Sequence, residues 1–272
     1  MNGKIGIIGF GTIGKLFLEK FLDSGLLAPE DIFVSNRSPS KLEKIVNKKV
    51  NACLKNRMLV QKSDYIFFCV KPSDLKTVFD EVKDVLSKDK YIVSVNGSIK
   101  FSQLEKYFPE NRISKIIPSV TAEVNSSQTL VCHNEKVGDE DFAFINQLLC
   151  TFGNVINLPE NEIGMGSELV SCMPGFIASI FNEIAKGAGK HTEIPEDQRI
   201  EMLLNTMIAT GLLIKNKKQS FYEVIEKVAT KGGITEEGVK VIEKDFPRVV
   251  DELFEKTLEK RRLTEKRMTD GI

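Results

Sequence analysis

Lys4-Ile5-Gly6-Ile7-Ile8-Gly9-Phe10-Gly11-Thr12-Ile13-Gly14 decides the fold. A short apolar run meets three glycines spaced G-x-G-x-x-G. Apolar residues at helical spacing follow: Ile13, Leu16, Phe17 and Phe21. The run reads as a buried strand and the later spacing as an amphipathic helix. Each glycine between them has a mechanical use. Gly9 permits a tight turn, Gly11 lets backbone come close to a pyrophosphate, and Gly14 lets the helix pack against the strand. The helix amino end, at Thr12 and Ile13, offers free N–H groups and partial positive charge to phosphates. In this setting the motif reads as a dinucleotide site, against the plainer reading of a glycine-rich structural turn.

Working outward, the first half keeps alternating. Strand signals fall at 31–34, 65–70, 91–95, 113–117, 129–132 and 155–157, with helices at about 40–46, 75–86 and 139–150. Apolar strands between helices predict a Rossmann-type, mainly parallel sheet covered on both faces. From about residue 162 no strand signal remains. Residues 168–186 carry Leu169, Met173, Phe176, Ile177, Ile180, Phe181 and Ile184; residues 200–214 carry Leu203, Leu204, Met207, Ile208 and Leu212. Faces this wide predict a subunit interface more than a core under the sheet. A charged helix over 235–264 ends the pattern. The expected division is a nucleotide-binding domain at 1–160 and an all-helical dimerisation and substrate domain at 161–272.

Composition narrows the function. Lys plus Arg and Asp plus Glu both number 38 in 272 residues, so no net charge draws the chain to nucleic acid or to an acidic membrane. Five scattered cysteines without a C-x-x-C pair, and two isolated histidines, suggest a reduced cytoplasmic protein without a metal centre. No stretch of about 18 apolar residues is expected, hence no membrane span.

Ser35-Asn36-Arg37-Ser38 follows the second strand, where an NAD enzyme usually has a carboxylate for the ribose. Arg37 can grip a 2′-phosphate, and Asn36 and Ser38 can donate hydrogen bonds. NADP(H) is therefore expected over NAD. Val70-Lys71-Pro72 and Asn96-Gly97 end two further sheet strands and can line the nicotinamide ribose pocket. Cys69 reads as a buried strand residue, not a nucleophile. Late in the chain, Gly232-Gly233 precede a long helix. Their N–H groups can converge on an anion, with Thr235 as a helix cap in the plainer reading.

These motifs, in this order over nearly the whole length, resemble the pyrroline-5-carboxylate reductase family. The shared features are Gly9–Gly14, Asn36-Arg37-Ser38, Asn56, Val70-Lys71-Pro72, Pro118, Pro174 and Gly232-Gly233-Ile234-Thr235. The resemblance implies NADPH-dependent reduction of pyrroline-5-carboxylate to L-proline by interlocked subunits. It places the substrate at Gly232, Gly233, Ile234 and Thr235, with the Thr235 hydroxyl on the ring nitrogen as the catalytic contact. Asn56 would touch the cofactor. Ile117-Pro118-Ser119, Ser171-Cys172-Met173-Pro174 and Thr230-Lys231 depart from the usual family pattern and look more like the late-competence ComER-like branch. The alternative is thus a paralogue that binds NADP but has a changed substrate or a regulatory role. A β-hydroxyacid dehydrogenase would want a lysine inside the first long helix, where this chain has only Lys186 at its end.

Overall fold

The structure, a computed structural model, describes residues 3–271. Its first half alternates strand and helix as expected: β1 (Ile5–Ile8), α1 (Thr12–Asp23), β2 (Ile32–Ser35), α2 (Pro39–Leu42), β3 (Asn51–Cys53), α3 (Asn56–Lys62), β4 (Tyr65–Phe68), α4 (Pro72–Val82), β5 (Tyr91–Ser94), α5 (Phe101–Tyr107), β6 (Arg112–Ile117), β7 (Ser127–His133), α6 (Asp139–Cys150) and β8 (Gly153–Asn157). Eight strands form one sheet in the order β3-β2-β1-β4-β5-β6-β7-β8. All neighbours are parallel except β6 and β7. That reversal has a local cause. Only residues 118–126 join β6 to β7, too few for a crossover helix, and the chain turns back through a tight 3-10 segment at Val120–Val124.

The strands β1, β2 and β5 are buried throughout because helices cover both faces of the sheet. Adjacent residues on β4 serve opposite cores, as the pleat requires. Phe67 packs with Phe17 and Phe21 of α1, at ring-centroid distances of 5.3 and 5.4 Å. Phe68 packs with Phe79 of α4 and Phe108, at 5.0 and 5.9 Å. All six rings are fully or almost fully buried. Such aromatic pairs add about 0.5–1.5 kcal/mol each beyond the area they remove from water. The buried charge of Lys115 on β6 is paired: its ammonium lies 3.2 Å from Glu160 and over the Phe101 ring.

Several expectations about elements need correction. The expected helix at 40–46 is one α-turn, α2, followed by a 3-10 segment at Glu43–Lys48. Cys69 lies one residue past the end of β4, half-buried, with its N–H still donating to the Ile8 carbonyl at 2.8 Å. Burial pushes its thiol far above the usual range, so it is not an activated nucleophile. Cys53 and Cys132 are buried, whereas Cys150 is exposed rather than packing.

After β8 the chain is helical: α7 (Ile163–Ser167), a π-helical turn at Glu168–Cys172, α8 (Met173–Ala188), α9 (Glu196–Lys217), α10 (Phe221–Val228) and α11 (Ile234–Gly271). The chain forms two compact units. One comprises Met1–Cys172 with Leu258–Ile272, the other Met173–Thr257. The first thus keeps α7, the π-turn and the end of α11.

Within the second unit α8 packs on α9. Yet α9 has no buried residue, and Ala185 is the one buried residue of α8. Ile177, Ile184, Ile200, Leu204, Ile208 and Leu212 all stand exposed. The expectation that no stretch is long and apolar enough to cross a membrane is also corrected. Glu160–Ala188, counted as one helical run of 29 residues, contains an 18-residue window of mean hydropathy 1.3 and meets that test by length and composition. Its glycines, serines and cysteine interrupt the strongly apolar residues, which hid the run from a count of those residues alone.

Candidate functional site

The order of the strands creates the site. From β1 the chain moves outward to β2 and β3, then returns to β4 on the other side of β1 and continues to β5. The loops after β1 and β4 therefore part at the carboxyl edge, which is where open α/β sheets hold ligands. A cavity of about 570 Å³ lies there.

The glycine loop is shaped by contacts a side chain would break. Gly9 has φ of +100°, and a methyl group on it would sit 2.6 Å from the Cys69 carbonyl oxygen. A methyl on Gly14 would come within 2.0 Å of the Gly9 carbonyl oxygen, so Gly14 is buried and serves packing. Gly11 differs. A methyl there would meet nothing within 4 Å, because the residue faces open space at the amino end of α1. No acidic residue stands in the first turn of α1 to oppose an anion.

Of the residues expected to bind cofactor, Gly9, Gly11, Asn36, Arg37, Ser38, Asn56, Val70 and Lys71 line this one cavity. Thr12 and Ile13 begin α1 beside it. Pro72 opens α4, with Lys71 as its N-cap. Asn96 and Gly97 do not line the cavity; they follow β5, and the Asn96 side chain accepts the Ser98 N–H at 3.0 Å to set the turn.

Hydrogen bonds refine the expected roles. The Asn36 side chain accepts the Phe10 N–H at 3.1 Å and donates to the Ser38 carbonyl at 3.2 Å, so it ties the glycine loop to the arginine loop. Asn56 accepts from Ser35 Oγ at 2.7 Å and donates to Glu81 at 2.7 Å, bridging β2 to α4. Arg37 is left free to reach a ligand. Its side chain is 89% exposed and its nearest charge partner is Asp74, at a loose 3.9 Å.

Sequence reasoning missed Lys41, Lys55, Asp74 and Glu81 in the cavity wall. The two carboxylates come from α4, whose outward face had no motif to announce it. Lys41, four residues after Arg37, was the one readable signal.

In the second unit, Thr235 is not the cap of α11, which starts at Ile234. Glu236 does that work, its carboxylate accepting the Gly232 N–H at 2.7 Å, while the Gly233 N–H donates to the Thr230 carbonyl at 2.8 Å. The expected anion-binding N–H of Gly232 thus already holds a carboxylate. Thr235 is exposed and its hydroxyl makes no hydrogen bond to a described residue.

Comparison with known proteins settles the family. A Bacillus subtilis protein named pyrroline-5-carboxylate reductase 3 is 31% identical over 264 residues, covering 96% of each chain. The chain belongs to the pyrroline-5-carboxylate reductase family. Residues 160–263 match the family model described as pyrroline-5-carboxylate reductase dimerisation, and residues 4–97 match NADP oxidoreductase coenzyme F420-dependent. ComE operon protein 4 of Bacillus subtilis is 28% identical over 93% of each chain, so the likeness to that branch is present too. The fold agrees: a Plasmodium falciparum pyrroline carboxylate reductase with NADP bound superposes at a TM-score of 0.87, with 21% identity and coverage of 97% of this chain and 98% of that one.

Proposed function

We propose that this chain is a cytoplasmic, NADPH-dependent pyrroline-5-carboxylate reductase that works as a homodimer or larger homo-oligomer and gives L-proline. The observation that carries the reading is the cavity joining the open Gly11 turn to Arg37, in a chain related end to end to proteins bearing that name. The cavity fits the cofactor. Gly11 leaves room for phosphate at the amino end of α1, and Arg37, with Lys41 beside it, supplies the positive charge a 2′-phosphate needs. NADPH, when bound, supplies hydride to the carbon of the C=N bond. The chain's own part is positioning and electrostatics. The Gly232–Gly233 turn would take the substrate carboxylate in place of Glu236, and the Thr235 hydroxyl would hold the ring nitrogen. No strong acid is required if the imine arrives protonated. The apolar faces of α8 and α9 would be buried by a second subunit, each large side chain contributing about 1.5–3 kcal/mol.

The test is NADPH oxidation by the purified protein with pyrroline-5-carboxylate, beside other cyclic imines. Turnover with pyrroline-5-carboxylate is expected. NADPH binding without any oxidation would support the regulatory paralogue instead, which the reductase names of the relatives do not favour. Arg37→Ala is expected to weaken NADPH about tenfold and leave NADH nearly unchanged, since a charged hydrogen bond is worth about 1.5–3 kcal/mol. Equal losses for the two nucleotides in a binding titration would remove Arg37 from 2′-phosphate recognition.

A further inference from the structure

One face of α4 forms part of the cavity wall. Asp74, Thr77, Val78 and Glu81 line it, at the spacing that puts side chains on one side of a helix. The same wall carries Arg37, Lys41, Lys55 and Lys71. Cations suit a ligand with a pyrophosphate and a 2′-phosphate. Two carboxylates among them do not, and each needs an account. Glu81 has one: it accepts from Asn56 Nδ2 at 2.7 Å and so fixes that amide. Asp74 has no such duty. Its side chain makes no hydrogen bond to a described residue, and its one ion pair among them is the 3.9 Å approach of Oδ1 to Arg37 Nη1.

That pair is too loose to hold the arginine. Both side chains meet solvent, Arg37 almost entirely, and exposed pairs of this kind contribute little. A phosphate, which offers several strong acceptor oxygens, takes the guanidinium readily. Asp74 is then left beside it. An oxygen held by the same arginine nitrogen at ordinary hydrogen-bond distance stands within about 7 Å of the Asp74 carboxylate. A phosphate monoester carries roughly two negative charges near neutral pH. Repulsion at that range, part-exposed to water and salt, changes affinity several-fold, well short of what a buried pair would do.

We infer that Asp74 is a specificity-determining residue of this site: its carboxylate opposes the 2′-phosphate that Arg37 attracts. The native protein therefore separates NADPH from NADH less sharply than its arginine alone would. This deepens the NADPH reading and rests on it. The carboxylate has a structural compensation, since it lies in the first turn of α4, where negative charge favours the helix.

The test is calorimetric titration of the full chain with NADPH and with NADH, which differ only in the 2′-phosphate. Asp74→Asn keeps the shape of the side chain and removes its charge. It is expected to bind NADPH about fivefold tighter, with NADH nearly unchanged and a slightly lower thermal midpoint. Asp74→Ser removes shape as well as charge and should give the same change in the ratio of the two affinities. The gain should shrink as salt is raised, which a merely loosened helix would not show. Folded variants that leave the ratio where the native protein has it overturn the inference. So does a weaker grip on NADPH, which would make Asp74 a support for Arg37 instead. Failure of the native protein to bind NADPH would overturn the reductase reading itself, and this inference with it.

Discussion

Replacing Gly11 with valine is expected to weaken NADPH binding about a hundredfold while barely moving the thermal midpoint. A hundredfold is about 2.7 kcal/mol, roughly one to two charge-assisted hydrogen bonds. Gly11 lies in extended backbone, with φ of −90° and ψ of −160°, which valine adopts without strain. Its added carbons would enter open space and strike nothing in the protein. They would occupy the place proposed for the pyrophosphate. Gly14→Ala makes the contrast. There the new carbon would meet the Gly9 carbonyl oxygen at 2.0 Å, and backbone cannot swing aside. α1 would have to lift from β1, a packing strain of about 1–3 kcal/mol or more. That variant should lose stability and NADPH affinity together. Denaturation and nucleotide titration on both proteins separate the effects. A Gly11→Val protein with native NADPH affinity would show that no phosphate docks at this turn.

The sheet was readable where strands are short, fully apolar and set off by glycine or proline. β1, β4 and β5 come near that condition because both of their faces are covered, which leaves Ser94 as the one polar end residue and Tyr65 as the one half-buried residue among them. β3 does not. Asn51-Ala52-Cys53 lies at the sheet edge, pairs with β2 alone, and carries no apolar run to announce it. α3 and α5 are seven residues each, too short for helical spacing to repeat. The reversal of β7 was hidden for another reason. Strand direction is set by the length of the connection, and an apolar run reads the same either way.

The candidate site was legible in its loops and opaque in its walls. Glycines and Arg37 are informative because their positions follow strands, where few residue types serve. Asn36 and Asn56, expected to contact the cofactor, line the cavity, and their amides tie loops to one another. Only three-dimensional neighbours such as Phe10 and Glu81 decide between holding a ligand and holding the loop that holds it. Asp74 and Glu81 could not be foreseen from spacing, since α4 reaches the cavity through the fold and not through the motif.

Thr235→Ala should lower kcat with pyrroline-5-carboxylate about a hundredfold, the usual cost of deleting one aligned polar contact to the reacting group. The side chain is spared structural duty. Glu236 already satisfies the start of α11, and the Thr235 hydroxyl bonds to no described residue, so stability should change little. A hydroxyl can accept the N–H of a protonated imine and still donate elsewhere, which suits a nitrogen whose charge disappears as its neighbouring carbon is reduced. The contact also fixes the C=N carbon against the hydride donor, an effect of alignment on the chemical step, so kcat should fall further than KM rises. NADPH affinity, set by the first unit, should stay native. Thr235→Ser keeps the oxygen and should recover most of the rate, whereas a merely structural threonine would show no such split between serine and alanine. Steady-state kinetics on the three proteins, with NADPH titrations alongside, decide the point. Full turnover by the alanine variant would remove Thr235 from the chemistry and leave the Gly232–Gly233 turn as a loop that simply starts a helix.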